Sequence, residues 1–444
     1  MKSNFPGRFH TLSGVAIALL YGLILSGQFS SAQAQAVGPY DRDSARIMLS
    51  VIKDDLKNNY YDQNLRGMNL EARFKGAEER IKEATSRDQL IAIVAQVLLE
   101  LNDSHTFFLP PSRAARVEYG WQMQMVGDVC YVTAVKPKSG AEAKGLKPGD
   151  AILSLDGFRP TRLNFWKMLY RYYALMPSRS IRMVLQSPGD AAPRELDIPS
   201  KIEPTQVVAQ WESLFIRYLS EEWDIDHDRF YEVGNDLLVW KMPTFAISKE
   251  HVDAIMTKAR KYKTLVIDLR GNGGGYSDTL SRLVSHFFDK EIKIADLKGR
   301  KEMKPQLAKK REDKPFGGQI IVLVDSNSAS ASELLARVLQ LEKRGTVIGD
   351  HTAGAVMTSK QYPHETGVGR VLYFGASVTI ADMIMSDGKS LENSGVTPDE
   401  LILPSGLDLA ANRDPVLSRA AEVAGVKLDP EKAGALFPVE WKRQ

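Results

Sequence analysis

Apolar side chains recur at helical spacing between residues 41 and 103. Ile47, Met48, Val51, Ile52 and Leu56 fall on one predicted helix face. Leu90, Ile91, Val94, Val97, Leu98 and Leu101 form the stripe of another, opened by the capping-box sequence Ser86-Arg87-Asp88-Gln89. Pro110-Pro111 block any continuation. The pattern changes over 120–200. Short runs at 122–125, 130–135, 151–155, 181–185 and 195–198 predict strands, with a helix from Gly140 closed by Gly145 and a second helix over 164–175. After Pro204 apolar runs at 237–241, 264–269, 319–324 and 346–348 alternate with helical stretches at 249–261, 277–288 and 332–341. That alternation predicts βαβ units and a largely parallel sheet. Further strands are expected at 371–374 and 376–380, and a helix at 415–423.

The fold class expected is therefore multidomain α/β. An N-terminal helical bundle at 37–116 is followed by a small β-rich domain at 117–203, an α/β core with a largely parallel sheet at 204–404, and a helical tail at 405–444. Residues 1–36 read as a secretory signal. Lys2, Arg8 and His10 precede an apolar run at 15–25 that is too short to span a bilayer, and small residues at 31–36 offer cleavage after Ala34 or Ala36. An uncleaved anchor is the alternative; no cysteine follows the run, which excludes a bacterial-type lipid anchor. The expectation is an exported protein, periplasmic or secreted, with no stable membrane span after cleavage. The one cysteine, Cys130, has no internal partner and reads as a small core hydrophobe. A formal net charge of +3 on 444 residues argues against a nucleic-acid-binding face. The basic run over 298–314 reads as a solvated insertion between strands, with a lid or membrane-surface role as the alternative.

The sharpest chemistry lies at 319–342. An apolar strand runs into the small polar turn 325–328 and then into a helix, so Ser330 and Ala331 stand at a helix start, where backbone N–H groups and the positive dipole end point outward. A hydroxyl there can act as a nucleophile whose oxyanion the same N–H groups hold. Ser326, Ser328, Ser330 and Ser332 also suit turn and cap positions, but one cap needs one serine. His105 sits in the polar loop Asn102-Asp103-Ser104-His105-Thr106, among groups able to orient an imidazole. Gly273-Gly274-Gly275 follows the strand at 264–269. It lacks the spacing and lysine of a phosphate loop, and reads either as plain turn or as an oxyanion donor facing Ser330. No histidine pair has metal-ligand spacing, so neither a metal nor a cofactor is expected.

Ser139-Gly140-Ala141, Gly145-Leu146, Pro148-Gly149-Asp150 and Leu155-Asp156-Gly157 give the β-rich segment a resemblance to a PDZ domain, which implies capture of an extended C-terminal peptide by strand addition. The whole chain resembles the C-terminal processing peptidases and their tricorn-core relatives. The resemblance rests on Leu101-Asn102-Asp103-Ser104-His105-Thr106, the PDZ segment, Asp268-Leu269-Arg270-Gly271-Asn272-Gly273-Gly274, Ser328-Ala329-Ser330-Ala331-Ser332-Glu333, Gly349-Asp350-His351-Thr352-Ala353-Gly354 and Gly395-Val396-Thr397-Pro398-Asp399, in that order. One position departs: where processing peptidases carry the lysine of a Ser–Lys dyad, this chain has Ala355, and Lys360 lies five residues further on a predicted strand. Tricorn-type members use serine and histidine, aided by glutamate and a second serine. The resemblance thus implies a catalytic set of Ser330, His105, Glu392 and Ser104, with an oxyanion hole from Ala331 and Gly273 or Gly274. It implies a serine endopeptidase acting on protein or peptide substrates. A non-catalytic peptide- or apolar-ligand-binding protein on the same fold, or an esterase acting on a non-peptide substrate, are the alternatives.

Overall fold

The computed structural model describes residues 37–112, 115–204, 227–367 and 371–441. The expected signal segment lies outside the described residues. No helix among the described residues is long and apolar enough to cross a membrane.

The central sheet has six strands in the order Glu400–Leu401, Thr346–Gly349, Gln319–Val324, Thr264–Asp268, Leu237–Lys241 and Arg229–Val233. All neighbours run parallel except the last pair. Its inner strands read as continuous apolar runs because both faces are covered. On one face Trp240, Ile267, Val322 and Val347 pack with the helices Lys249–Ala259, Ser277–Ser285 and Ala331–Leu341. On the other, Val239, Val266, Leu323 and Ile348 pack against Val416, Leu417, Ala420 and Ala421 of the helix Pro415–Val423. The C-terminal tail is thus a layer of the core. Each fully buried branched aliphatic here stabilises the fold by about 1.5–3 kcal/mol over an exposed one.

The helices Pro39–Asn59, Leu70–Glu83 and Arg87–Leu99 share a second core with Phe108, Phe374, Ala376 and Val378. Within the first helix the inward set is Ala45, Met48, Leu49, Ile52 and Leu56. Ile47, expected on that face, lies on the flank of the stripe and is 47% exposed. The chain leaves the third helix, turns through residues 102–106, and enters the strand Phe107–Leu109, which pairs antiparallel with Ser377, Ala376 and Gly375. The two strands expected at 371–374 and 376–380 are one strand, Leu372–Ile384, also paired with Met357–Thr366. Lys360 lies on the latter, exposed, with its ammonium over the Tyr362 ring.

The β-rich segment is a five-stranded antiparallel sheet ordered Trp121–Val126, Val129–Val135, Ala151–Leu155, Ser180–Gln186 and Arg194–Pro199. Its own core holds Met123, Val132, Ile152, Met183 and the free Cys130. The basic run is less solvated than its composition suggests. Arg300 donates to the carbonyls of Tyr60 and Asn58, and Arg311 pairs with Asp253 and Asp313.

Candidate active site

In a parallel sheet, loops leaving the carboxyl ends of the strands share one crevice. Here three such loops interlock. Ala329 N–H donates to the Asn272 carbonyl at 3.0 Å, Ala353 N–H to Ser328 at 3.0 Å, and Ser330 N–H to Ala355 at 3.0 Å. Asn272 is fully buried; its amide donates to Met242, its side-chain oxygen accepts from Gly274 N–H at 2.8 Å, and its carbonyl also accepts the Ser332 hydroxyl.

Ser330 occupies the strand-to-helix corner at φ 56°, ψ −116°. These are the dihedrals of the first central residue of a type II′ turn, where glycine is usual, so a serine there is strained. Comparable strained corners expose a nucleophilic hydroxyl at the top of a sheet. The Ser330 side chain makes no cap hydrogen bond. Ala331 N–H has no partner among the described residues and stands at the first turn of an eleven-residue helix. Gly274 lies directly against the corner. A Cβ there would fall 2.8 Å from Ser330 Cβ and 3.1 Å from Ala331 N, and its φ is +99°. The N–H of Gly274 is committed to Asn272, so Gly274 supplies closeness, and Gly273, exposed and without a partner among the described residues, keeps the available amide.

The loop carrying His105 is pinned from below. Asp103, fully buried, accepts from Tyr60 Oη at 2.9 Å, Thr379 Oγ1 at 2.7 Å and His105 N–H at 2.9 Å. Ser377 Oγ donates to the His105 carbonyl at 2.7 Å. His105 Nδ1 lies 2.8 Å from Ser104 Oγ, which lies 2.8 Å from Glu392 Oε2; the other Glu392 oxygen accepts Ser104 N–H at 2.9 Å. Glu392 Oε2 also accepts Val356 N–H at 3.0 Å. Val356 follows Ala355, whose carbonyl holds Ser330 N–H. The structure thus joins Ser104, His105 and Glu392 in one hydrogen-bonded series and ties that series to the Ser330 corner through two adjacent residues. Ser330 Oγ and His105 Nε2 have no hydrogen-bond partner among the described residues and are not bonded to each other.

Burial lowers the His105 pKa below its ordinary value, with the charge of Asp103 opposing, so the ring is neutral at neutral pH. Burial raises the Glu392 carboxyl to about 7, with Asp103 adding and the Ser104 and Val356 donors opposing. A neutral ring whose Nδ1 meets the Ser104–Glu392 series and whose Nε2 is free suits general-base chemistry.

In the sequence Glu333 stands only as part of a motif. It is fully buried, and both its oxygens are occupied: Oε1 by Thr352 Oγ1 at 2.5 Å and Gly354 N–H at 2.8 Å, Oε2 by Ser330 N–H at 3.0 Å and Ala355 N–H at 2.9 Å. The signal in the sequence was its place three residues into the helix, the return position of a capping box. Asn272 carries no such signal, because its partners are distant in the chain.

Residues 236–402 match the model of peptidase family S41. The carboxy-terminal processing protease CtpB of Bacillus subtilis (strain 168) is 22% identical over 399 residues, covering 84% of this chain and 78% of that protein. The chloroplastic C-terminal processing peptidase of Tetradesmus obliquus is 24% identical over 371 residues, covering 78% and 75%. Among solved structures, mature CPAF superposes with a TM-score of 0.62 at 14% identity, covering 83% of this chain and 94% of that one. The photosystem II D1 C-terminal processing protease superposes at 0.51 with 20% identity, covering 89% and 100%. At these identities the structural likeness is one of fold.

Proposed function

From a chain that carries a peptidase family S41 domain and is related to carboxy-terminal processing proteases, we propose a serine peptidase that hydrolyses peptide bonds through an acyl-enzyme on Ser330. Ser330 Oγ attacks the scissile carbonyl while His105 Nε2 takes its proton. Ala331 N–H and Gly273 N–H hold the oxyanion. The tetrahedral adduct collapses, the C–N bond breaks, and His105 returns its proton to the leaving amine. Water then attacks the ester while His105 takes its proton; the acyl C–O bond to Ser330 breaks, His105 returns the proton to Ser330 Oγ, and the new peptide carboxylic acid leaves.

The hydrogen-bonded series Glu392–Ser104–His105 is the observation that carries this reading. With Glu392 ionised, the Ser104 hydroxyl donates to it and must accept at its other side. His105 therefore carries its proton on Nδ1 and presents the Nε2 lone pair. The mechanism requires Nε2 and Oγ to come within hydrogen-bond distance in the substrate complex. Ser330→Ala and His105→Ala should each abolish peptide hydrolysis with the fold intact, and a serine-directed phosphonate should label Ser330. Hydrolysis near the parent rate by either variant refutes the assignment.

The reading extends to substrate selection. The antiparallel sheet has Trp121–Val126 at one edge. This suits a PDZ-like module that takes an extended chain end. An apolar C-terminal peptide should bind Ser330→Ala enzyme in a fluorescence titration, and amidation of its carboxylate should weaken it. Export rests on the leader alone; mature protein beginning after Ala34 or Ala36 in an extracytoplasmic fraction is the expected finding.

A further inference from the structure

We propose that Glu333 is a positioning residue that holds Ser330 in its strained, uncapped conformation and so keeps the nucleophile and its oxyanion donor available. This inference rests on the peptidase reading above. A serine at a helix start ordinarily relaxes to extended dihedrals and turns its hydroxyl onto the N–H of the second or third helical residue. That conformation would occupy the oxygen needed for attack. Ser330 does not adopt it: its φ is 56° and its hydroxyl makes no cap bond.

The geometry names what replaces the ordinary cap. Glu333 Oε2 takes the Ser330 and Ala355 N–H groups together, while the Ala355 carbonyl accepts Ser330 N–H from the other side. Oε1 takes Gly354 N–H and the Thr352 hydroxyl, and Thr352 Oγ1 in turn accepts Val396 N–H at 2.6 Å. One carboxylate thus clamps the nucleophile's own amide to the 352–355 loop. The next amide of that loop, Val356, holds Glu392. Displacing the clamp shifts Ser330 and the Glu392 relay with respect to one another.

Two oxygens that each accept two donors cannot be replaced by one amide. In Glu333→Gln the new NH2 faces two donors whichever way it lies. The expected result is a fall in kcat of roughly a hundredfold, the scale of a small misplacement of a reacting group, with KM unchanged. Phosphonate titration separates positioning from structure: the titrated fraction of Ser330 stays that of the parent, while the labelling rate falls in step with kcat. Thr352→Val, which removes one donor and adds no repulsion, should lower kcat less in the same direction, and Thr352→Ser should restore it. Parental kcat per titrated site in Glu333→Gln overturns the inference, as does a loss accounted for wholly by a smaller titrated fraction. Where Glu333→Gln does not accumulate folded, parental kcat in Thr352→Val overturns it. A parent enzyme whose Ser330 takes no phosphonate overturns the peptidase reading and this inference with it. A labelled parent beside an unimpaired Glu333→Gln overturns the inference alone.

Discussion

Glu392 sits where its charge decides which imidazole nitrogen of His105 is free. Burial raises its carboxyl to about 7. Below that pH the protonated acid donates to Ser104, the Ser104 hydroxyl turns to donate to Nδ1, and the proton of the neutral ring moves to Nε2. The base is then masked. The kcat/KM profile should therefore rise with pH through about 7 and level off above it. Burial raises the Glu333 carboxyl to about 7 as well, so Glu392→Gln should leave part of that acid limb while lowering the plateau by about 10²–10⁴-fold, the range for a misplaced imidazole tautomer. A parent profile flat between pH 5.5 and 8.5 would count against the relay. At this scale the residues proposed to react are legible from the sequence: a serine at a helix start, and a histidine in a polar loop. Asp103 was legible only as a neighbour able to orient the imidazole; Asn272 and Glu333 were not legible in role. Each gathers partners from several loops, such as Tyr60 and Thr379 on Asp103, and one-dimensional spacing carries no record of that convergence.

Among elements, the Gly-rich loop and the helix Ala331–Leu341 meet with no room between them. Gly274→Ala adds a Cβ 2.8 Å from Ser330 Cβ, with Ala329 O and Ala331 N at 3.0 and 3.1 Å, at a φ of +99°. The corner must shift, so kcat should fall sharply, and the denaturation midpoint should drop by the equivalent of about 1–3 kcal/mol. An unchanged kcat would mean that the corner tolerates displacement. Asp103→Ala should likewise lower stability by about 3–5 kcal/mol by leaving buried donors without an acceptor, measurable by urea unfolding. Strand and helix types were readable here because buried parallel strands are unbroken apolar runs. The strand Leu372–Ile384 looks like two pieces in the sequence because Gly375 interrupts its pattern. That glycine is required by packing: a Cβ there would lie 2.5 Å from the carbonyl of Tyr362 on the paired strand.

Across the whole molecule, the β-rich segment touches both halves of the site. Ser326 Oγ donates to Met125, Gln124 to Asp325, and Gly127 N–H to Asp350 at 2.9 Å on the serine side. Lys167 Nζ donates to Leu99 and Asn102 on the histidine side. Arg162 joins Gly127, His351 and the largely buried Asp350 carboxylate. Arg162→Ala should lower stability by about 1–3 kcal/mol, since the guanidinium is partly exposed and solvent compensates for part of the loss. Hydrogen exchange over 123–127 should quicken in the same variant; unchanged protection there would show that the contact does not hold the two parts together.

The order of apolar runs determined by itself that this chain forms a parallel-sheet core with helical and β-rich attachments, because burial on one or two faces dictates periodicity residue by residue. The same local logic singled out a hydroxyl at a helix start and an imidazole in a polar loop. Tertiary structure alone decided that residues 288 positions apart, Ser104 and Glu392, share two hydrogen bonds, that Gly273 and not Gly274 keeps its amide, and that a buried carboxylate at 333 holds the corner. Those outcomes depend on which donor reaches which acceptor across packed loops, and distance along the chain does not encode distance in space.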